Sequence, residues 1–320
     1  MKDLPKAANI LLTTCSECKK DEKILFVTDP TSYEVARLVY DAAKDFPNKS
    51  LIMMDERNMH GENSTDLVAA AMLEADVIFG ATKFSLFHSN ARKAAVANGA
   101  RFVNMADYSI GMMHAGGLYA NFAEAREVCS RIADIAQDAK TVTITSEKGS
   151  HFTCSVEGRN PVPQYARSID KGTSSSPPDV ECATCAVEGT GYGVVYIDGS
   201  IPHPKLGLIH DEIKITIEAS KIVKIEGGEQ AKILSEIMES FNDENVYMVG
   251  EIGIGLNPMC ELNGRMLEDE GCGGTVHFGC GDNLGFGGVI SCPVHLDLIF
   301  TKPTLKIDET VVLNEGNVVV

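Results

Sequence analysis

The chain has 320 residues, with 45 acidic against 28 basic side chains and a formal charge of −17. At ~150 residues per domain this length suggests about two domains, and 44% hydrophobic with 23% charged residues excludes a largely disordered chain. The charge opposes contact with nucleic acid or an anionic membrane surface, no apolar run reaches the ~18 residues of a membrane span, and the lack of tryptophan disfavours a base-stacking platform.

No signal-peptide core follows Met1 to Lys6, so a cytoplasmic protein is expected. Ten cysteines fit a reducing compartment. Cys15/Cys18 and Cys182/Cys185 have CxxC spacing, but no zinc-ribbon pattern links them. Chance spacing or free thiols is the favoured reading of both pairs.

The first 145 residues alternate short apolar runs with helical spacing. Strands are expected at 23–29, 50–55, 76–81 and 101–105, and helices at 33–46, up to Ala75, at 90–98 and at 121–139. Ser64 or Thr65 suits the second helix as a cap, and Gly99 suits the end of the third. This alternation predicts an open, mostly parallel α/β sheet over residues 1–145. Asp29, Asp55 and Asp107 follow strands, yet no Gly-rich phosphate loop opens a helix. They are expected to be solvated loop residues of a scaffold or dimerisation domain.

From Lys140 the pattern becomes β. Residues 141–145 and 152–156 suit a hairpin around Gly149, and 168–179 read as an exposed loop. Strands are expected at 193–199, 212–218 and 221–226, and a helix at 229–241. Residues 146–320 are therefore expected to form a β-rich, partly barrel-like domain.

Chemistry concentrates in that second part. On a strand, His295 and Asp297 share one face with Cα atoms about 7 Å apart, which suits two ligands of one ion. His277 lies 18 residues earlier, between glycines, at the distance of a return strand. The three make a 2-His-1-carboxylate set. Glu251 interrupts an apolar, glycine-spaced run, where a carboxylate is costly unless it meets a cation or donors. Glu181 follows Pro177-Pro178-Asp179-Val180. Glu181, Glu251, His277, His295 and Asp297 are thus candidate ligands for one or two divalent ions, and Glu181 and Glu251 are the candidate catalytic carboxylates. A bridging water on two metals would attack an amide carbonyl, with a glutamate moving the proton to the leaving nitrogen.

The stretches Pro178 to Thr184, Gly250 to Ile254, His277 to Gly281 and His295 to Asp297 resemble segments of the aminopeptidase T family of metallopeptidases. That resemblance implies an N-terminal α/β domain, a C-terminal β domain, two zinc or cobalt ions, a homodimer and removal of N-terminal residues from short peptides. It carries its metal ligands to Glu181, Glu251, His277, His295 and Asp297. Where that family has a tyrosine ligand, seven residues after its histidine, this chain has Leu284. The form of 275–283 is more similar to a sister branch that includes 2,5-dihydroxypyridine dioxygenase. That resemblance implies a single non-haem Fe(II) that opens a hydroxylated pyridine ring, held by His295 and Asp297 with His277 or Glu251 completing the set. The leading expectation is a metal-dependent amide or peptide hydrolase, with the dioxygenase as the alternative and a non-catalytic binding protein on the same fold as the third.

Overall fold

A computed structural model describes residues 4–114 and 116–320. The chain forms two compact units, one of residues up to Phe122 with Tyr165–Pro178, the other of Ala123–Gln164 with Asp179–Val320. No helix among the described residues is long and apolar enough to cross a membrane.

The first unit holds a parallel five-stranded sheet in the order Lys49–Met53, Ile24–Thr28, Val77–Ala81, Arg101–Asn104, Ser174–Ser175. The three inner strands are buried throughout, as a sheet covered on both faces requires. Phe26 stacks on Phe79 with centroids 5.0 Å apart. The helices Tyr33–Ala42, Asp66–Glu74 and Asn90–Ala97 lie where the periodicity places them. Thr65 and Ser89 cap the second and third, accepting from the Val68 and Arg92 amides.

Asp29 differs from expectation. It is buried, and its carboxylate accepts the backbone amides of Ser32 and Lys83, so it ties two loops together rather than meeting water. The 168–179 segment also differs. Ser174–Ser175 adds a strand to the parallel sheet, and Ser175, Ser176 and Asp179 are buried.

The expected division at residue 145 falls within the second unit. The helix Phe122–Ala136 puts Ile132 and Ala136 against Val142, Ile252, Ile254 and Leu305, and the strand Thr141–Thr145 pairs with His151–Ser155 and Thr304–Ile307. Two sheets, of eight and seven strands, make up this unit, and neither closes into a barrel. They meet through Phe152 on one and Phe278 on the other, 4.8 Å apart, with Phe300 5.3 Å from Phe278. This aromatic core decides the orientation of the site. Because Phe278 points inward between the sheets, its neighbours His277 and Gly279 point to the other face.

Candidate metal centre

Four strands of the seven-stranded sheet carry the candidate ligands: Val180–Thr184, Val249–Gly255, Thr275–Gly281 and His295–Thr301. They lie side by side, each antiparallel to the next. Register aligns Glu251 with Gly279 and Asp297 in one cross-strand row. Gly253 pairs with His277, Gly281 with His295, and Gly255 with Glu181. Each candidate ligand therefore has a glycine as a cross-strand neighbour.

The five side chains meet. His295 Nε2 is 2.7 Å from Glu251 Oε2 and 3.3 Å from Asp297 Oδ1. His277 Nε2 is 3.4 Å from Glu181 Oε2 and 3.6 Å from Glu251 Oε1. Ligand atoms of Glu181, Glu251 and His277 lie within 4.8 Å of one another, as do those of Glu251, His295 and Asp297. Glu251 belongs to both groups.

Surrounding groups orient these ligands. Gln164 donates to Glu181 Oε1 at 2.5 Å, which leaves Oε2 toward His277. His295 donates Nδ1–H to the Asp282 carbonyl at 2.8 Å, because a carbonyl only accepts. That bond fixes the tautomer and leaves Nε2 as the ligand atom.

Two further carboxyls border the cluster and carry no sequence signal of their own. Asp179 is buried two residues before Glu181. Glu270, half-buried, hydrogen-bonds to Asp297. Burial, reinforced by the neighbouring carboxylates, raises both well above the ordinary carboxylate range. Glu270 thus keeps its proton and donates it to Asp297.

Burial also pushes Glu181 up to about 7, with Glu251 and Asp297 adding to it and His277 opposing. Burial disfavours charge on His277, but Glu251, Glu181 and Asp297 outweigh it and lift the imidazole to about 9. For Asp297, burial is outweighed by His295 and His277, which hold the carboxylate well below its usual range. Burial is likewise outweighed for Glu251, which the two imidazoles beside it hold below the usual carboxylate range.

These residues fit a divalent cation. Asp179 Oδ1, Glu181 Oε2 and Asp297 Oδ1 are buried without a hydrogen-bond partner, an arrangement that costs free energy unless a cation meets it. The glycines make the space. A Cβ on Gly253 would stand 2.1 Å from His277 Nε2, and one on Gly279 would stand 2.3 Å from His295 Nε2 and 2.7 Å from Glu251 Oε2. The donor set of nitrogen and oxygen suits zinc, cobalt or iron and is unlike a closed thiolate site.

The cysteine pairs do not join it. All ten cysteines are free, and neither ligand group contains one. Leu284 is an exposed apolar residue with no ligand atom.

A family model described as NicX, 2,5-dihydroxypyridine 5,6-dioxygenase, matches residues 11–320. A 2,5-dihydroxypyridine 5,6-dioxygenase of Pseudomonas putida KT2440 is 28% identical over 195 residues, 58% of this chain and 56% of that protein. The matched region thus spans about half the length of that curated relative. Among solved structures, a 2,5-dihydroxypyridine dioxygenase from Pseudomonas putida KT2440 superposes with a TM-score of 0.82 at 20% identity, covering 99% of this chain and 96% of that one. AmpT from Thermus thermophilus superposes with a TM-score of 0.70 at 13% identity, covering 100% and 99%. At such identities both likenesses show a shared fold. The family match spans nearly the whole chain, and the chain belongs to the 2,5-dihydroxypyridine 5,6-dioxygenase family.

Proposed function

We propose that the protein is a non-haem iron dioxygenase that opens the ring of a dihydroxylated pyridine-like substrate. The observation that carries this reading is the meeting of two imidazoles and two buried carboxylates, His277, His295, Glu251 and Asp297, on one sheet face in a chain of this family. His295 and Asp297 hold the ion. His277 or Glu251 completes the set: the 2-His-1-carboxylate pattern argues for His277, whereas Glu251 is the one whose ligand atom lies with those of His295 and Asp297, and either choice leaves coordination positions open. Bound there, divalent iron would supply the redox chemistry with dioxygen that the protein's own side chains lack.

The chain's own groups manage the protons. Glu181, whose Oε2 is buried beside His277 without a hydrogen-bond partner, is placed to take a proton from a substrate hydroxyl there and to return it later. Gln164 keeps the other oxygen occupied, so the exchange is confined to Oε2. Glu251 holds charge between the two imidazoles. The strongly acidic chain favours a neutral or cationic small molecule over an anionic one.

A second reading, a two-metal amide hydrolase, is supported by one feature. Glu251 is shared by two three-ligand groups, as a bridging carboxylate would be. The family assignment favours the dioxygenase.

Oxygen uptake by the Fe(II)-loaded protein separates the readings. Consumption of dioxygen in equal amount to 2,5-dihydroxypyridine or a close analogue is the expected result. No uptake across a panel of dihydroxylated pyridines, together with turnover of a peptide amide, would overturn it.

A further inference from the structure

His295 is the least buried of the five clustered side chains. It is 29% exposed, while none of the other four exceeds 6%. A ligand with a solvent face is not held by packing on every side, so its direction needs separate restraint. Besides the contacts of Nε2 with Glu251 and Asp297, two restraints come from the loop that precedes it. The Asp282 carbonyl accepts Nδ1–H, and the Phe286 ring lies against the imidazole with centroids 5.8 Å apart and planes inclined by 25°.

That loop, with Gly285, Gly287 and Gly288, has a composition that leaves a backbone soft. It is instead tied at successive points. Asn283, fully buried, donates Nδ2–H to Glu188 at 3.1 Å and accepts the Ile290 amide at 2.8 Å. Glu188 also accepts the Val289 amide at 3.0 Å and pairs with Arg159. Arg159 donates in addition to the Gly287 carbonyl. The Cys185 thiol donates to the Phe286 carbonyl at 3.1 Å. Gly288 packs so closely on Asn283 that a Cβ there would stand 2.1 Å from the amide carbon.

We propose that Arg159, Cys185, Glu188 and Asn283 are positioning residues that hold residues 282–292 as a rigid bracket and so fix the direction of His295 Nε2 toward the metal. The bracket rests on the reading of His295 as a metal ligand and is independent of the reaction performed there. It gives Cys185 a role as a loop anchor, apart from any CxxC chemistry.

Titration of the full chain with cobalt(II), followed by visible absorption, tests it, because the spectrum reports ligand geometry as well as affinity. Wild type is expected to bind. Asn283→Ala is expected to bind about 10–100-fold more weakly, the range for losing an outer-shell partner, and to show a changed absorption envelope. An Asn283→Ala protein that is less stable yet binds cobalt(II) with unchanged affinity and spectrum would overturn the bracket and leave the metal reading intact. Failure of wild type to bind would remove both. If Asn283→Ala does not fold, Phe286→Ala decides by the same two readouts: weaker binding with an altered spectrum supports the bracket, and unchanged values overturn it.

Discussion

Gly279, the cross-strand partner of Asp297, lies so close to the imidazole of His295 that a β-carbon on it would stand 2.3 Å from Nε2. The glycine is therefore part of the site, although it offers no ligand atom. Its neighbour Phe278 holds the strand in register from the opposite face.

Gly279→Ala should retain the fold and lose the metal. Overpacking at one methyl costs about 1–3 kcal/mol of stability. Displacing both His295 and Glu251 should lower metal affinity about tenfold or more. Chelator competition on the refolded variant checks this, and unchanged affinity would show that the imidazole is not held where the structure puts it.

Phe278→Ala should do the reverse. The ring is fully buried between Phe152 and Phe300, so its removal should cost about 3–5 kcal/mol. A lower urea midpoint, with metal still bound by the folded fraction, is the expected outcome.

Acidity gives a signed prediction for the metal-free protein. Glu181 is raised from 4.5 to about 7 and His277 from 6.5 to about 9. Each contributes stability that is full below its unfolded value and is lost as pH rises through its folded value. The thermal midpoint should therefore fall between about pH 6 and pH 9. A bound cation replaces those protons, so metal should flatten the fall, and its affinity should rise over the same interval. A midpoint that climbs from pH 6 to 9 without metal would contradict the assignment of these shifts.

Cys15→Ser with Cys18→Ser should leave metal content unchanged. Cys15 is fully buried with its thiol pushed well above the usual range by burial, and the Cys18 thiol contacts the Ser16 hydroxyl. Loss of an equivalent of metal in this double variant, measured by elemental analysis, would restore a zinc reading of the pair.

Much of the site is legible in local pattern. Alternation along a strand places His295 and Asp297 on one face, and the glycines around His277 and Glu251 mark strands that make room for something larger than a methyl. Other parts depend on long-range pairing that no local window holds. Glu270 follows a four-residue helix, next to the close approach of Gly271 to Asp179, and meets Asp297 from a distant part of the chain. Gln164 comes from an edge strand of the sheet. The helix Phe122–Ala136 has the periodicity of its predecessors, but periodicity does not say which sheet it covers. Serines and prolines at 168–179 read as an exposed loop, which residues 170–172 are, whereas pairing with the Arg101–Asn104 strand and burial make residues 175–179 part of the interior.

The metal content of wild type, His295→Ala and Asp297→Ala after anaerobic loading with Fe(II) tests the central claim most directly. The expected result is one firmly held ion per wild-type chain and its loss from both variants, with their secondary structure retained. Full metal content in either variant would contradict the account.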